Sequence, residues 1–202
     1  QVVLILVGLI GSGKSTFAQA LEKHLPQYRR CCQDELGGDR RRVEALARQT
    51  LREGLNVCVD RTNTNRRISR QRAHWIKIAR EVPGTAIWVL VFDTPYQVCM
   101  GRLRERIDHP TIKTPEQALE ILARFSSSFQ PPSPHEGYHH IMNLRPSDHP
   151  ALDWTKEEVI AVLQQLRDSL PVISDRQTYI LPQFWGSSSR GTASNRGSSY
   201  RG

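Results

Sequence analysis

Nine residues, Gly8 to Thr16, reading GLIGSGKST, limit this chain more than anything else in it. They follow directly on the apolar run VVLILV at residues 2–7. From Gly8 to Ser15 they fit G-x-x-x-x-G-K-[ST], between a strand-like run and a helix-like one. Glycine there lets backbone N–H groups converge on phosphate oxygens without a side chain in the way. A helix beginning near Lys14 points the positive end of its dipole at the same place. The expected phosphate contacts are therefore Gly8, Gly11, Ser12, Gly13, Lys14, Ser15 and Thr16. Lys14 is expected to reach the β- and γ-phosphates of a nucleoside triphosphate, and Ser15 to bind Mg²⁺.

The rest of the chain repeats the same alternation. Short apolar runs at 2–7, 28–32, 56–60, 86–92 and 138–144 are separated by helix-like stretches at 14–25, 40–53, 65–81, 95–107 and 115–128. A last one, 155–169, sets Val159, Val162, Leu163 and Leu166 on one face. Near-continuous apolar strands alternating with helices predict a mostly parallel sheet covered on both sides, a three-layer α/β/α sandwich. Right-handed crossovers then gather the carboxyl ends of the strands, and the ligand, along one edge.

Residues 1–185 read as one domain. From 186 onward, GSSSRGTASNRGSSYRG is low-complexity Gly, Ser and Arg, expected to be a disordered tail. The tail carries Arg190, Arg196 and Arg201, three of the charges behind a net +8. Tails of this kind hold single-stranded RNA weakly, and an excess of basic charge favours polyanionic partners. The chain opens without Met and enters a strand at once, so an excised piece of a longer protein is expected, with no secretory signal. No run of eighteen apolar residues exists, so no membrane span is expected. Cys31, Cys58 and Cys99 sit in or near apolar runs, and Cys31 and Cys32 point to opposite faces of one strand. They read as small buried residues of a reducing compartment, which places the protein inside the cell, in nucleus or cytoplasm.

What receives the phosphate must be sought at the other strand ends. Asp34 follows the second strand in CCQDELGG and is a candidate to accept a hydroxyl proton; a turn or helix cap would use it equally well. Asp60 ends NVCVD and precedes RTNTNRR. It suits either Mg²⁺, through water, or the acceptor, and Asp34 is the other candidate for a water-mediated metal contact. Arg61, Thr62 and Asn63 lie at the same edge, where Thr62, Asn63 or Thr64 also suits a helix cap. Arg102 and Arg106, four apart in GRLRERIDHPTI, share a helical face and suit a lid over the triphosphate. Arg40, Arg41, Arg42, Arg66, Arg67, Arg70 and Arg72 are candidates to meet phosphates of a polymeric acceptor. Trp75, beside Ile76 and Ile78, reads as half-buried core, and His135, His139 and His140 lack the spacing of a metal site.

Taken together, GLIGSGKSTF, QDELG, VDRTNTN, GRLRER and FSSSFQPPSPHEGYHHI resemble the polynucleotide 5′-hydroxyl kinase family of P-loop kinases, from about residue 3 to residue 144. The family includes the kinase domain of polynucleotide kinase–phosphatase and the phage polynucleotide kinase. The resemblance implies a P-loop kinase fold with a helical lid. It implies Asp34 as general base and Lys14, Ser15 and Mg²⁺ at the triphosphate. Arg102 and Arg106 would be lid arginines, with Arg106 on the transferring phosphate. Asp60, Thr62 and Asn63 would line the acceptor channel. Gln33 stands where the family often has an arginine, and Arg61 where it has an asparagine. Both departures fall on the acceptor side, where Arg61 and Arg41 are candidate contacts.

The expected activity is transfer of the γ-phosphate of ATP, or GTP, to the 5′-hydroxyl end of RNA or DNA. A small-molecule P-loop kinase and a non-catalytic, nucleotide-gated RNA-binding module are the alternatives. The chain has neither a D-x-D acid pair nor a K-x-D-G motif. Phosphatase and ligase steps are therefore expected in further domains or partner enzymes.

Overall fold

Residues 1–61, 69–105, 114–151 and 153–172 are described by a computed structural model, residues 69–71 by their backbone only. Thr62, Asn63, Thr64, Arg66, Arg67, Arg106 and the expected tail from 186 lie outside the described residues, and so does the side chain of Arg70.

Five strands form one sheet in the order β2-β3-β1-β4-β5. They are β1 (Val2–Val7), β2 (Tyr28–Cys32), β3 (Asn56–Asp60), β4 (Ala86–Phe92) and β5 (His140–Leu144). Every pair is parallel, with Ile5 opposite Val59 and Val89, and Cys32 opposite Asp60. Parallel neighbours need long crossovers, and the helices supply them. These are α1 (Lys14–His24), α2 (Arg40–Arg52), α3 (Ser69–Arg80), α4 (Tyr96–Glu105), α5 (Pro115–Ser127) and α6 (Lys156–Asp168).

The unbroken hydrophobicity of β1 is explained by its two covered faces. Val3, Ile5 and Val7 pack with Val43, Ala47 and Leu51 of α2 and with Trp75, Ile78 and Ala79 of α3. Leu4 and Leu6 pack with Phe17, Ala18 and Leu21 of α1 and with α6. On α6 the buried side chains are Val159, Val162, Leu163 and Leu166, the face expected from their spacing. Each contributes on the order of 1.5–3 kcal/mol over remaining in water. Thr155 and Glu158 start that helix as a capping box, and Asp39 starts α2 by accepting from the Arg41 amide.

A third, smaller core joins Cys99 and Leu103 of α4 to Ala118 and Leu122 of α5. Leu9 and Ile10 pack against it, so this helical pair rests directly on the phosphate loop. All four cysteines are buried and free.

Three details differ from expectation. Arg72 does not face a nucleic acid: it is 1% exposed. It forms a two-pronged pair with Glu136, Nε and Nη2 each 2.7 Å from a carboxylate oxygen, and donates to the Gln130 carbonyl at 3.2 Å. Glu136 also accepts from the Ser133 amide, so the PPSPHEG stretch becomes a strap fastened to α3 through Arg72. Second, β5 starts at His140 rather than 138, after Gly137 at φ 91 and the buried Tyr138. His139 is structural: its amide donates to the Ile87 carbonyl at 2.7 Å, and its Nδ1 accepts from the Ile87 amide at 2.8 Å. Trp75 is full core, at 1% exposed.

Candidate nucleotide and acceptor site

A cleft of about 530 Å³ lies along the carboxyl ends of the strands. Its floor is the turn from β1 into α1. Gly11 has φ 76, and a Cβ on it would stand 2.9 Å from the Cys99 carbonyl oxygen. Gly8 sits behind the cleft, where a Cβ would meet the Phe92 carbonyl oxygen at 2.9 Å. Only glycine satisfies the backbone and the close approach together at these two positions. Gly13 is the N-cap of α1 and offers no side chain to cap it, so the first-turn N–H groups face the cleft for an anion.

Lys14 is 5% exposed, and its ammonium donates to the Leu9 carbonyl at 2.6 Å and to Ser12 Oγ at 3.1 Å. Burial pushes its pKa down to about 8, against the opposing pull of Asp60. The loop thus holds its lysine folded inward on its own acceptors. Ser12 is fixed from outside the loop as well. Its carbonyl accepts from Thr94 Oγ1 at 3.1 Å and from Arg102 Nη1 at 3.3 Å. Arg102 also lies 3.4 Å from the Gly11 carbonyl, so α4 grips the phosphate loop and puts a guanidinium on the cleft wall.

Ser15 Oγ donates to Asp60 Oδ1 at 3.2 Å. Asp60 is 4% exposed, and its other oxygen accepts from Arg30 Nε at 2.9 Å and Nη2 at 2.6 Å. Burial works against the Arg30 charge, and Asp60 more than reverses that, raising the pKa of the guanidinium. Ser15 and Asp60 present hard oxygen donors at the mouth of an uncapped helix. That set suits Mg²⁺, which takes few protein ligands and completes its shell with water and phosphate.

Asp34 and Arg61 line the same cleft as Lys14, Ser15, Thr16 and Asp60. Asp34 is exposed in the turn after β2, and Arg61 is half-buried. Burial and the nearby Arg40 lower the pKa of Arg61, while Asp34 attracts its charge. Arg41 is exposed on the first turn of α2 and does not line the cleft, and Arg40 is held by Glu44 at 2.6 Å. The expected contacts Thr62, Asn63 and Arg106 fall outside the described residues.

Three features of the site escape a reading of the sequence alone. Arg30 is one; it shares a face with the buried Tyr28 and Cys32, and a charge on that face is the available signal. Thr94 is another, one of the residues that immobilise Ser12. The third is the stretch after β5, where Arg145, His149 and Trp154 form the far wall. There the His149 and Trp154 rings stack at 3.5 Å, 6° from parallel, and Phe17 meets Trp154 edge-on at 5.0 Å. No local pattern announces such a wall.

A model of the family described as AAA domain matches residues 3–132. The Arabidopsis thaliana protein named transcription factor bHLH140 is 32% identical over 148 residues. That alignment covers 70% of this chain and 16% of the Arabidopsis protein. Among solved structures, a fungal RNA kinase superposes with a TM-score of 0.58 at 17% identity, over 91% of this chain and 53% of its own. A sugar kinase from Janibacter superposes at 0.51 with 16% identity, covering 83% of this chain and 95% of its own. The Mycobacterium tuberculosis APS kinase, in complex with AMPPNP and APS, superposes at 0.52 with 20% identity, covering 80% and 96%. The fold is therefore that of P-loop kinases.

Proposed function

We propose that this chain, which belongs to the AAA domain family over residues 3–132, moves the γ-phosphate of ATP or GTP onto the 5′-hydroxyl end of a nucleic acid. The observation that supports it most is the sharing of one cleft by Lys14, Ser15, Asp60 and the exposed carboxylate of Asp34. Phosphoryl transfer needs a cradle for the donor and a proton acceptor across from it, with space between them.

In this reading Asp34 takes the proton of the incoming hydroxyl as its oxygen bonds the γ-phosphorus. The bond from that phosphorus to the β–γ bridging oxygen breaks, and the nucleoside diphosphate leaves. Lys14 swings from the Leu9 carbonyl to the phosphates. Arg102, with Arg106 further along, balances charge on the transferring group. Ser15 and Asp60 would hold Mg²⁺, which supplies charge neutralisation at the β- and γ-phosphates. Arg61, beside Asp34, suits a phosphate of the acceptor strand.

The likeness to a fungal RNA kinase and the net charge of +8 favour a polynucleotide acceptor. The sugar and APS kinases, matched over nearly their whole lengths, favour a small-molecule acceptor as the second reading. This chain, which spans 16% of the Arabidopsis relative, carries neither a D-x-D pair nor a K-x-D-G motif, and phosphatase or ligase steps are assigned in this reading to other domains or proteins. The experiment is label transfer from γ-labelled ATP and GTP to matched RNA and DNA oligonucleotides with free 5′-hydroxyls, beside a panel of sugars and nucleosides. Label at oligonucleotide 5′ ends supports the proposal; label only on a small molecule replaces it with the second reading.

A further inference from the structure

Arg30 has three partners that belong to different parts of the site. Its Nε and Nη2 hold Asp60, its Nη1 pairs with Glu35, and its amide donates to Glu22 Oε1 of α1 at 2.9 Å. Glu35 is the neighbour of Asp34 in the turn after β2. That turn is otherwise closed on itself, by the Gly38 amide on the Gln33 carbonyl at 2.9 Å and by the Gln33 side chain on the Gly38 carbonyl. Ser15, Asp60, Arg30 and Glu35 thus form an unbroken polar chain from the phosphate loop to the turn that carries Asp34.

The charges along it are unequal in freedom. The Arg30 side chain is 5% exposed and that of Asp60 is 2%, whereas that of Glu35 is 53%. The inner pair is enclosed and the outer partner is open to solvent. A cation beside Ser15 would share the Asp60 carboxylate with Arg30 and repel the guanidinium at the same time. The buried guanidinium then leans more heavily on its other carboxylate, Glu35.

We infer that Arg30 is a positioning residue that passes the charge state of the Ser15–Asp60 pair to Glu35, and so orders the Asp34 turn when metal and nucleotide are both bound. The inference rests on the nucleotide reading of the cleft, but not on the identity of the acceptor.

Hydrogen exchange of the full chain tests it without any acceptor. Mg²⁺ with AMPPNP is expected to slow exchange both at residues 8–16 and at residues 33–38, the latter by at least ~5-fold. AMPPNP with EDTA is expected to protect 8–16 alone. Arg30→Gln strands the buried Asp60 carboxylate and risks unfolding, so Glu35→Gln carries the test. That half-exposed substitution should keep the protection at 8–16 and lose the magnesium-dependent part at 33–38. Protection of 33–38 that survives Glu35→Gln, or that appears equally without Mg²⁺, overturns the inference and leaves the nucleotide reading standing. Absence of protection at 8–16 overturns both.

Discussion

At the scale of single residues, Lys14 shows how a binding site differs from a core. Its folded pKa of about 8 lies below the ordinary 10.5, because burial outweighs the attraction of Asp60. Below about pH 8 Lys14 is charged in both states and its burial weighs fully against the fold. Between 8 and 10.5 the unfolded chain holds more protons, so this cost fades as pH rises. A bound triphosphate should restore the ordinary charge, so binding above about pH 8 takes up a proton. Calorimetry in buffers of different ionisation heat should show this uptake, with affinity falling up to ~10-fold per pH unit above that point. Lys14→Met should abolish the dependence.

The same scale shows what the sequence leaves hidden. Lys14 and Ser15 were legible because the motif fixes their surroundings within nine residues. Arg30 was not, since its meaning depends on Asp60, thirty residues away. Nor was Arg72, which looks like any helix arginine until Glu136 is brought to it from 64 residues further on.

At the scale of elements, the phosphate loop is held by α4 as well as by its own strand. Gly11→Ala would set a methyl carbon 2.9 Å from the Cys99 carbonyl and force a residue at φ 76. A stability loss of roughly 1–3 kcal/mol is expected, read by urea unfolding, with nucleotide affinity falling further than stability alone explains. The strap behaves differently. Glu136→Gln leaves the Arg72 guanidinium buried beside a neutral partner. It should cost about 3–5 kcal/mol without changing the site's chemistry, so activity per folded molecule should persist at low temperature.

Strand and helix positions were largely legible, because β1, β3 and β4 are covered on both faces and so read as apolar runs. Boundaries at β5 were less so. Tyr138 and His139 look like strand residues, yet Gly137 at φ 91 delays the strand to His140.

At the scale of the whole molecule, a sheet of five parallel strands puts Lys14, Ser15, Asp34, Asp60, Arg61 and Arg102 around one cleft at its carboxyl edge. No helix among the described residues is long and apolar enough to cross a membrane. With a net charge of +8, a polymeric acceptor should be held partly by counterion release. If the protein contacts three phosphates of the acceptor strand, log affinity should fall with log salt at a slope of about −2. A small-molecule acceptor of modest charge gives a much flatter line. Fluorescence anisotropy of a labelled 5′-hydroxyl oligonucleotide across a salt series decides between them.

Asp34 is proposed to face the donor phosphate across the cleft and to take the acceptor's proton. Single-turnover transfer to a 5′-hydroxyl oligonucleotide, compared between the parent chain and Asp34→Asn with nucleotide affinity measured in parallel, tests it most directly. The account predicts a rate at least ~100-fold lower in Asp34→Asn, with affinity for the triphosphate little changed. Transfer by Asp34→Asn within a few-fold of the parent rate would contradict it.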